Sequence, residues 1–538
     1  TIFIIMARNF LKILLIFLPA ILLIKYGEKV IPFNKANKEK RLHLISFIVL
    51  TYLISILTVY SDGKEQYSAY DLYFKKSYPI LSVKKLGLIT TMRLDLKRTL
   101  IGWVPPATNL PEISPKESEK VNIIEEEKEY NTLNINFPNL ISKEKDETLK
   151  NMHKYFENVQ PTPKNKFTGK YKGYNLILIT AEAFSPYAVH ENITPTLYKM
   201  VYGGYYFTDF YTPVWGVSTS DGEYVACTGL IPKSGVWSFY KSGNISLPFV
   251  MGNQLKKSGY KTMAYHDHAY NYYKRNVSHP NMGYNYKGVG NGLNMEKNWP
   301  ESDLEMMQIT IPEYINNTPF HAYYMTVSGH LRYSFSGNAM SSKNRKYVKN
   351  LPYSEPCKAY IACQIELDRA LEYLLNQLEE KGVAYKTLIA LSADHYPYGL
   401  EDSEINELAG HTLEKNFELY KNNFILYTKG MTPMVINKPC SSLDIIPTIS
   451  NLLGLEYDSR LLMGKDILSD SEPLVIFGNR SFITDKGRYN SESKTFIPNK
   501  GINVDYNYVK KVSQIVDNKF YYSAKILETD YYKRVLIE

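Results

Sequence analysis

Residues 174–180 read YNLILIT, a short apolar run at which the pattern of the chain changes. From this point short apolar segments alternate with helical patterns, which predicts an α/β fold built on a mostly parallel sheet flanked by helices. The segments predicted as further strands are 260–265, 321–327, 385–392 and 423–429. One predicted helix begins at Thr194-Pro195, where a capping residue precedes a proline, and others end at Gly259, Gly382 and Gly454.

Polar side chains with catalytic potential follow four of these predicted strands. In open α/β sheets, ligands bind outside the carboxyl ends of the strands, so side chains far apart in sequence converge on one edge. One histidine at a strand end is usually structural, whereas four such strand ends together favour a functional site. The residues concerned are Glu182, then His266 and His268, then His330, and finally Asp394 and His395.

The segment YTPVWGVSTSDGEYVACTG (211–229) adds a hydroxyl group. Thr219 lies where this loop passes into a predicted helix, and backbone N–H groups at a helix start bind anions. A hydroxyl at this position beside a metal ion can act as a nucleophile. The alternative is that Ser218, Thr219 or Ser220 only caps the helix.

Glu182, Thr219, Asp394 and His395 together offer three oxygen ligands and one imidazole. This set suits a hard or borderline divalent cation such as Mn²⁺ or Mg²⁺, with Zn²⁺ as the less favoured choice.

The N-terminal part of the chain carries two apolar runs, residues 10–24 and 42–60. The second has 19 residues without Asp, Glu, Lys or Arg, and about 20 apolar residues span a bilayer as a helix. We therefore expect residues 1–60 to form transmembrane helices of an N-terminally truncated, multi-pass protein. A buried hairpin of a soluble domain is the alternative.

The loop between the two runs is basic, which predicts its side of the membrane. It holds six lysines and arginines against two glutamates, and such loops face the cytoplasm. Everything after about Tyr60 is then extracellular. Residues 61–170 are predicted as juxtamembrane helices and a linker, and residues 171–538 as an extracellular catalytic domain with an α/β tail. The net charge of +9 is mild for 538 residues, and no nucleic-acid-binding motif is present.

Four motifs together resemble a known family: AEAFSP, TPTLYKM, STSDGEY and SADHYPYG. They are similar to the sulfatase-type phosphotransferases of the alkaline phosphatase superfamily, and especially to the lipoteichoic acid synthase family of Gram-positive bacteria. The resemblance covers about residues 170–475. It implies a sulfatase/alkaline-phosphatase-like fold preceded by transmembrane helices.

The resemblance also implies roles for the residues at the strand ends. Glu182, Asp394 and His395 match the family's metal ligands, and Thr219 matches its nucleophile, which also contacts the metal. The family thereby implies a Mn²⁺-type cofactor.

A second group of residues matches the family's substrate contacts. His330 matches the histidine that contacts the substrate phosphate, and the headgroup pocket is matched by His266, His268, Tyr273 and Arg275. The family's synthases typically have Trp at the position of Tyr273 and Asp at that of His268. These two differences concern the headgroup.

The function that the resemblance implies is that of a membrane-anchored extracellular phosphotransferase. It would move glycerophosphate from phosphatidylglycerol to a growing polymer or glycolipid acceptor, through a phosphothreonine-type intermediate on Thr219. The alternatives are a phosphoethanolamine transferase or a phosphodiesterase of the same fold, or a non-catalytic envelope protein that binds polymer. Sulfate-ester hydrolysis is disfavoured because no C/S-x-P-x-R motif occurs in the sequence.

Overall fold

A computed structural model describes residues 38–64, 68–75, 79–101 and 128–536. The chain forms two compact units, Thr1–Pro106 and Ala107–Glu538. The predicted apolar run 10–24 and most of the basic loop that follows it lie outside the described residues.

The described residues of the first unit are helical. The helices are α1 (Lys38–Ser61), α2 (Ala69–Phe74), α3 (Pro79–Leu86) and α4 (Leu88–Ile101). Helix α1 covers the second apolar run, and most of its apolar side chains are exposed, with Phe47 at 63% and Leu57 at 66%. Over the residues whose side chains are described, no helix combines the length and apolarity needed to cross a membrane.

The predicted juxtamembrane region begins with short helices, and a glycine separates α3 from α4. Gly87 lies between α3 and α4 with a φ of 79°. This left-handed conformation ends a helix and is open to glycine at little energetic cost.

The second unit is built around a nine-stranded sheet, with two smaller sheets beside it. The strands are β1 (Asn175–Ala181), β2 (Tyr205–Phe207), β3 (Phe210–Tyr211), β4 (Lys261–Ala269), β5 (Asn285–Val289), β6 (Gly292–Leu293), β7 (Phe320–Met325), β8 (Thr387–Ala393), β9 (Lys421–Asn422), β10 (Ile425–Tyr427), β11 (Met434–Ile436), β12 (Cys440–Ser441), β13 (Val475–Ile476), β14 (Phe482–Thr484), β15 (Gly487–Asn490) and β16 (Thr495–Pro498).

The helices of the second unit lie between and after these strands. They are α5 (Phe137–Lys143), α6 (Glu147–Glu157), α7 (Pro195–Gly203), α8 (Ser218–Thr228), α9 (Ser238–Ser242), α10 (Met251–Lys257), α11 (Arg275–Asn281), α12 (Asp303–Tyr314), α13 (Ala339–Val348), α14 (Glu355–Glu380), α15 (Asp402–Ala409), α16 (Ile445–Leu452), α17 (Tyr506–Thr529) and α18 (Tyr531–Val535).

The main sheet is mostly parallel, as predicted. Its strand order is β11-β2-β10-β8-β1-β7-β4-β5-β6. Eight of these strands run in one direction, and β10 alone is antiparallel to its neighbours β8 and β2. The central strand β1 is buried along its whole length and pairs with both β7 and β8.

All five predicted strands are present, with two informative differences. Strand β4 continues beyond residue 265 to Ala269, so His266 and His268 lie within the strand and not after it. The sheet also gains β2, β5, β6 and β11, which were not predicted. Three of these are only two or three residues long, and β5 contains a glycine, so their apolar pattern is too short to recognise.

The core lies where α7, α12 and α14 pack against the sheet. Ile177 and Ile179 of β1 belong to one apolar cluster with Leu197, Met307 and Leu371 from those helices. This packing fixes β1 and its neighbours, whose carboxyl ends carry the polar residues discussed below.

Residues 128–170 pack against the same unit. Asn131 donates a hydrogen bond to Asn451 of α16 at 3.2 Å, and the His153 ring of α6 is hydrogen-bonded to the Tyr531 hydroxyl at 2.9 Å. After the main sheet, β13–β16 form an antiparallel sheet that is followed by α17.

Candidate active site

Thr219 lies in the first turn of α8, next to the carboxyl end of β8. Its Oγ1 is 3.1 Å from Nε2 of His395, and the residue is buried with only 7% of its surface exposed. The N-cap position belongs to Val217, which has no side-chain acceptor, so Thr219 does not cap the helix. The preceding residue, Ser218, has a φ of 36°, a costly conformation that is maintained only by its surroundings.

Three further side chains surround this hydroxyl. One ligand atom from each of Glu182, Asp394 and His395 lies within 4.8 Å of the others, and all three residues are buried. Nε2 of His395 is 3.1 Å from Oδ2 of Asp394 and 3.5 Å from Oε1 of Glu182. The residues expected to converge from β1 and β8 are therefore close together.

The orientation of His395 is fixed by a backbone contact. Its Nδ1 lies 2.9 Å from the carbonyl oxygen of Tyr396, which can only accept a hydrogen bond. In a neutral imidazole the proton is therefore on Nδ1, and the lone pair of Nε2 points toward Thr219 and the two carboxylates. This is the tautomer that metal-ligating histidines adopt when a carbonyl holds the other nitrogen.

The two carboxylates each leave an oxygen without a hydrogen-bond partner. Oδ1 of Asp394 accepts hydrogen bonds from the backbone N–H groups of Ala183 at 2.9 Å and His395 at 2.8 Å. Oδ2 of Asp394 and Oε1 of Glu182 are buried and have no partner among the described residues. Burial raises the pKa of Glu182 well above its usual value, and the adjacent Asp394 raises it further.

Two orphaned carboxylate oxygens and a free imidazole lone pair suit a divalent cation. An unpaired buried charge is unfavourable, and a cation at this position would compensate both carboxylates. The donor set fits Mn²⁺ or Mg²⁺ better than a metal that prefers sulfur.

Gly222 allows α8 to approach the end of β8, a feature that the sequence did not reveal. A Cβ atom at this position would lie 2.1 Å from the carbonyl oxygen of Asp394. Gly329 has a similar role, since a Cβ there would lie 2.2 Å from the carbonyl oxygen of Glu182. Both glycines set the distance between backbone segments that carry site residues.

Arg275 and His266 lie beneath the site in a buried network. Arg275 binds Glu223 of α8, with its Nε 2.9 Å from Oε2, and its Nη1 is 3.1 Å from Nε2 of His266. Nδ1 of His266 faces the carbonyl oxygen of Met325 at 3.0 Å, so both of its ring nitrogens have protein partners. Although burial acts in the opposite direction, Arg275 and His279 hold the pKa of Glu223 below its usual value.

His268, His330 and Tyr273 lie on the more open side. The Trp299 ring is 5.0 Å from the rings of both His268 and His330. His268 places Nδ1 3.0 Å from Oε1 of Glu301. Burial lowers the pKa of His330, so its imidazole is neutral at physiological pH.

Tyr398 completes the surroundings of Thr219 and was not predicted, although it lies in the motif SADHYPYG. Its hydroxyl accepts a hydrogen bond from Ser218 at 2.8 Å, and its ring centre is 4.3 Å from that of His395. The nine predicted site residues therefore form three groups. Glu182, Thr219, Asp394 and His395 form the first, His266 and Arg275 the buried second, and His268, Tyr273 and His330 the third.

Comparisons with known proteins identify the family of the chain. The family model described as Sulfatase matches residues 174–455, just over half of the chain. A lipoteichoic acid synthase-like protein of Bacillus subtilis is 24% identical over 66% of this chain and 59% of its own length. The lipoteichoic acid synthase of Staphylococcus saprophyticus is 26% identical over 62% of this chain and 54% of its own. The chain thus spans less than two thirds of these curated relatives.

Solved structures share the fold. The lipoteichoic acid synthase LtaP from Listeria monocytogenes superposes with a TM-score of 0.59 at 22% identity, covering 71% of this chain and 98% of that one. A protein of the alkaline phosphatase superfamily from Vibrio parahaemolyticus gives a TM-score of 0.53 at 16% identity, covering 74% and 95%. The resemblance identified from the four motifs is confirmed at the level of family and fold.

Proposed function

Because the chain belongs to the sulfatase family, we propose that it is a metal-dependent glycerophosphotransferase similar to the lipoteichoic acid synthases. The observation that carries this proposal is the position of the Thr219 hydroxyl beside the buried cluster of Glu182, Asp394 and His395.

Thr219 is the proposed nucleophile. Its Oγ attacks the phosphorus of phosphatidylglycerol, so that an Oγ–P bond forms, the P–O bond to diacylglycerol breaks, and the diacylglycerol oxygen gains a proton. In the second step a hydroxyl of the acceptor attacks the same phosphorus. The bond to Thr219 breaks, the threonine regains its proton, and glycerophosphate is transferred to the polymer or glycolipid.

Glu182, Asp394 and His395, together with Thr219, would hold the cation, Mn²⁺ or Mg²⁺ before Zn²⁺. A divalent cation lowers the pKa of the attacking hydroxyl and compensates negative charge on the phosphate. The backbone bonds to Asp394 and His395 keep these side chains in place before any ligand arrives.

The remaining predicted residues are assigned to the phosphate and the headgroup. Arg275 contributes positive charge next to the site, and Glu223 and His266 hold its guanidinium in position. His330 lies at the open side, with its Nδ1 held by the carbonyl oxygen of Leu331. Fixed positive charge such as that of Arg275 stabilises the charge that spreads over the phosphate oxygens during transfer. His268 and Tyr273 are assigned to the headgroup.

Anchoring in the cell membrane, with the catalytic unit outside, is part of the proposal. It is supported by the apolar run 42–60, which lies in α1 with most of its apolar side chains exposed, and by the basic loop before it. A lipid donor suits a site held next to the bilayer.

Phosphoethanolamine transfer is a second candidate, and one observation favours it. Glu301 lies beside His268 in the region assigned to the headgroup, and its buried Oε2 has no partner among the described residues. A carboxylate in this position would attract the ammonium group of phosphatidylethanolamine, whereas glycerol offers only hydroxyls.

Donor choice and the nucleophile are tested together in one assay. The full chain is incubated with Mn²⁺ and vesicles containing radiolabelled phosphatidylglycerol or phosphatidylethanolamine, and released diacylglycerol is measured. Diacylglycerol from phosphatidylglycerol supports the proposal, and release from phosphatidylethanolamine alone supports the second candidate. Release by a Thr219→Ala variant at the wild-type rate would contradict Thr219 as the nucleophile for either donor. No release from either lipid with metal bound would contradict both transfer functions and favour a polymer-binding role.

A further inference from the structure

A cluster of exposed aromatic and basic side chains lies at one side of the site. We call it the lip and define it by Trp237, Tyr240, Lys241, Tyr272 and Lys274. Trp237 and Tyr272 are each 48% exposed, Tyr240 is 41% exposed, and both lysines are exposed. Exposed aromatic side chains that lie together, unlike those scattered singly over a surface, mark interaction sites.

Two neighbouring segments form the lip. Asn281, at the end of α11, donates 2.8 Å hydrogen bonds to the carbonyl oxygens of Ser242 and Ile245, which ties α11 to the end of α9. The buried face of α9 is anchored by Phe239, whose ring lies 6.1 Å from Tyr224 of α8. Trp237, the N-cap residue of α9, and Tyr240 within this helix are therefore exposed on an element that is fixed to α8.

The lip is connected to the site by a chain of aromatic rings. The Trp237 ring centre is 5.7 Å from that of Tyr273, which is 4.5 Å from Tyr272. Tyr272 is 5.4 Å from His268. A molecule that reaches the open side of the site from this direction passes the lip first.

The sequence segment that carries the lip is rich in positive charge. Residues 224–295 include eight lysines and arginines and a single acidic residue, Asp267, which is fully buried. Lys233 is paired with Glu528 and is not counted in the lip. Neither Lys241 nor Lys274 has a carboxylate partner in the described part of the chain. The lip is therefore aromatic and cationic, without an exposed acid from its own segment.

We propose that the lip docks on the surface of an anionic lipid bilayer and delivers a lipid headgroup to the site. Trp and Tyr rings favour the headgroup region of membranes, and exposed lysines are attracted to anionic lipids. This inference rests on the proposed function, because docking on a bilayer serves catalysis only if the substrate is a membrane lipid.

Docking is tested with a fluorescent label on the full chain in vesicles. The four native cysteines are buried, so a Tyr240→Cys variant carries an environment-sensitive fluorophore at the lip alone. The matched control is Tyr385→Cys, because Tyr385 is 60% exposed and precedes β8, at the opposite end of that strand from His395. The vesicles contain phosphatidylcholine with brominated acyl chains, with or without phosphatidylglycerol.

We expect quenching at position 240 but not at 385, only with phosphatidylglycerol present, and less of it in high salt. Equal quenching at both positions, or none at 240, would overturn the proposal. A response of the lip label to soluble polyglycerophosphate but not to vesicles would overturn it in favour of a polymer-binding face.

A second readout separates this inference from the proposed function. A Tyr240→Ser/Lys241→Ser variant is expected to raise KM for phosphatidylglycerol in vesicles roughly fivefold or more. Its turnover of soluble dihexanoyl phosphatidylglycerol should be unchanged. An equal change on both donors would contradict docking, whereas lip quenching in a wild-type protein that turns over neither donor would retain docking and reject the proposed transfer.

Discussion

The hydroxyl of Thr219 lies 3.1 Å from Nε2 of His395, although 176 residues separate the two in the chain. The contact exists because α8 begins beside the carboxyl end of β8. It places a hydroxyl among two unpartnered carboxylate oxygens and an imidazole lone pair, which is the central feature of the site.

Replacing Asp394 with Asn should abolish metal binding while preserving the fold. The amide oxygen can still accept the backbone bonds that Oδ1 receives from Ala183 and His395, but an NH₂ group then occupies the place of the free Oδ2. Wild-type protein should gain about 2.7 kcal/mol of unfolding free energy at 100 times the Kd of Mn²⁺. For Asp394→Asn, thermal shift should show no stabilisation by Mn²⁺, and elemental analysis should show no bound metal. The control is Asp402→Asn, which changes an exposed carboxylate and should behave as wild type in both measurements.

Gly222→Ala adds only one methyl group but should displace Thr219 from its position in the site. The new methyl group would meet the Asp394 carbonyl oxygen at 2.1 Å, so α8 must move away from β8 and carry Thr219 with it. Overpacking of this kind costs about 1–3 kcal/mol. Turnover should fall at temperatures at which the variant is still folded.

The matched control for this change is Gly216→Ala in the loop before α8. A Cβ at Gly216 has its nearest neighbour, Oδ2 of Asp221, at 3.6 Å, which is an ordinary contact. Equal turnover of the two variants would show that the close approach at Gly222 is not needed.

Glu223→Gln should destabilise the protein by about 3 kcal/mol, because Arg275 would remain buried without a carboxylate. Both side chains are almost completely buried, at 0% and 1% exposure. The control is Lys233→Gln, which removes the partly exposed pair with Glu528 and should cost less than about 1 kcal/mol. Chemical denaturation compares the two, and a smaller loss for Glu223→Gln than for Lys233→Gln would contradict the assignment.

The stability of the protein should depend on pH because of Asp368, a residue outside the candidate active site. Burial raises its pKa to about 6, and it accepts a hydrogen bond from the backbone N–H of Leu197 at 2.7 Å. The folded state therefore binds a proton more strongly than the unfolded chain, whose pKa is near 3.8. The stabilisation that protonated Asp368 contributes to the free energy of unfolding is complete below pH 4 and is lost as the pH rises through 6.

An Asp368→Asn variant keeps the acceptor oxygen but has no charge. Its free energy of unfolding relative to wild type should be up to about 3 kcal/mol higher at pH 8 than at pH 4. Denaturation midpoints at both pH values measure this difference. Glu380→Gln, at the exposed end of the same helix, is the control, and a constant difference for Asp368→Asn would contradict the expected titration.

The strand ends were predictable because each local pattern is strong. The run 174–180 and the run 385–392 are apolar enough to be strands, so Glu182, Asp394 and His395 follow as neighbours at one sheet edge. The motif around Thr219 marks a helix start. These predictions need only local sequence and the geometry of parallel strands.

Gly222, Glu223 and Tyr398 could not be assigned in the same way. Gly222 matters because of how closely α8 approaches Asp394, and Glu223 because Arg275 lies behind it, and neither relationship has a sequence pattern. The burial of His266 likewise follows from the continuation of β4 through a polar segment, and that of Arg275 from its contacts with Glu223 and His266. Tertiary packing determines all of these features.

The most direct test is mass spectrometry of the peptide that contains Thr219. The full chain is incubated with Mn²⁺ and bacterial lipid in the absence of an acceptor, then digested, with Ser220→Ala as the control for the neighbouring hydroxyl. The proposed mechanism requires a glycerophosphoryl adduct on Thr219 in wild type and in Ser220→Ala, and none in Thr219→Ala. An adduct on another residue, or release of diacylglycerol by Thr219→Ala at the wild-type rate, would contradict it.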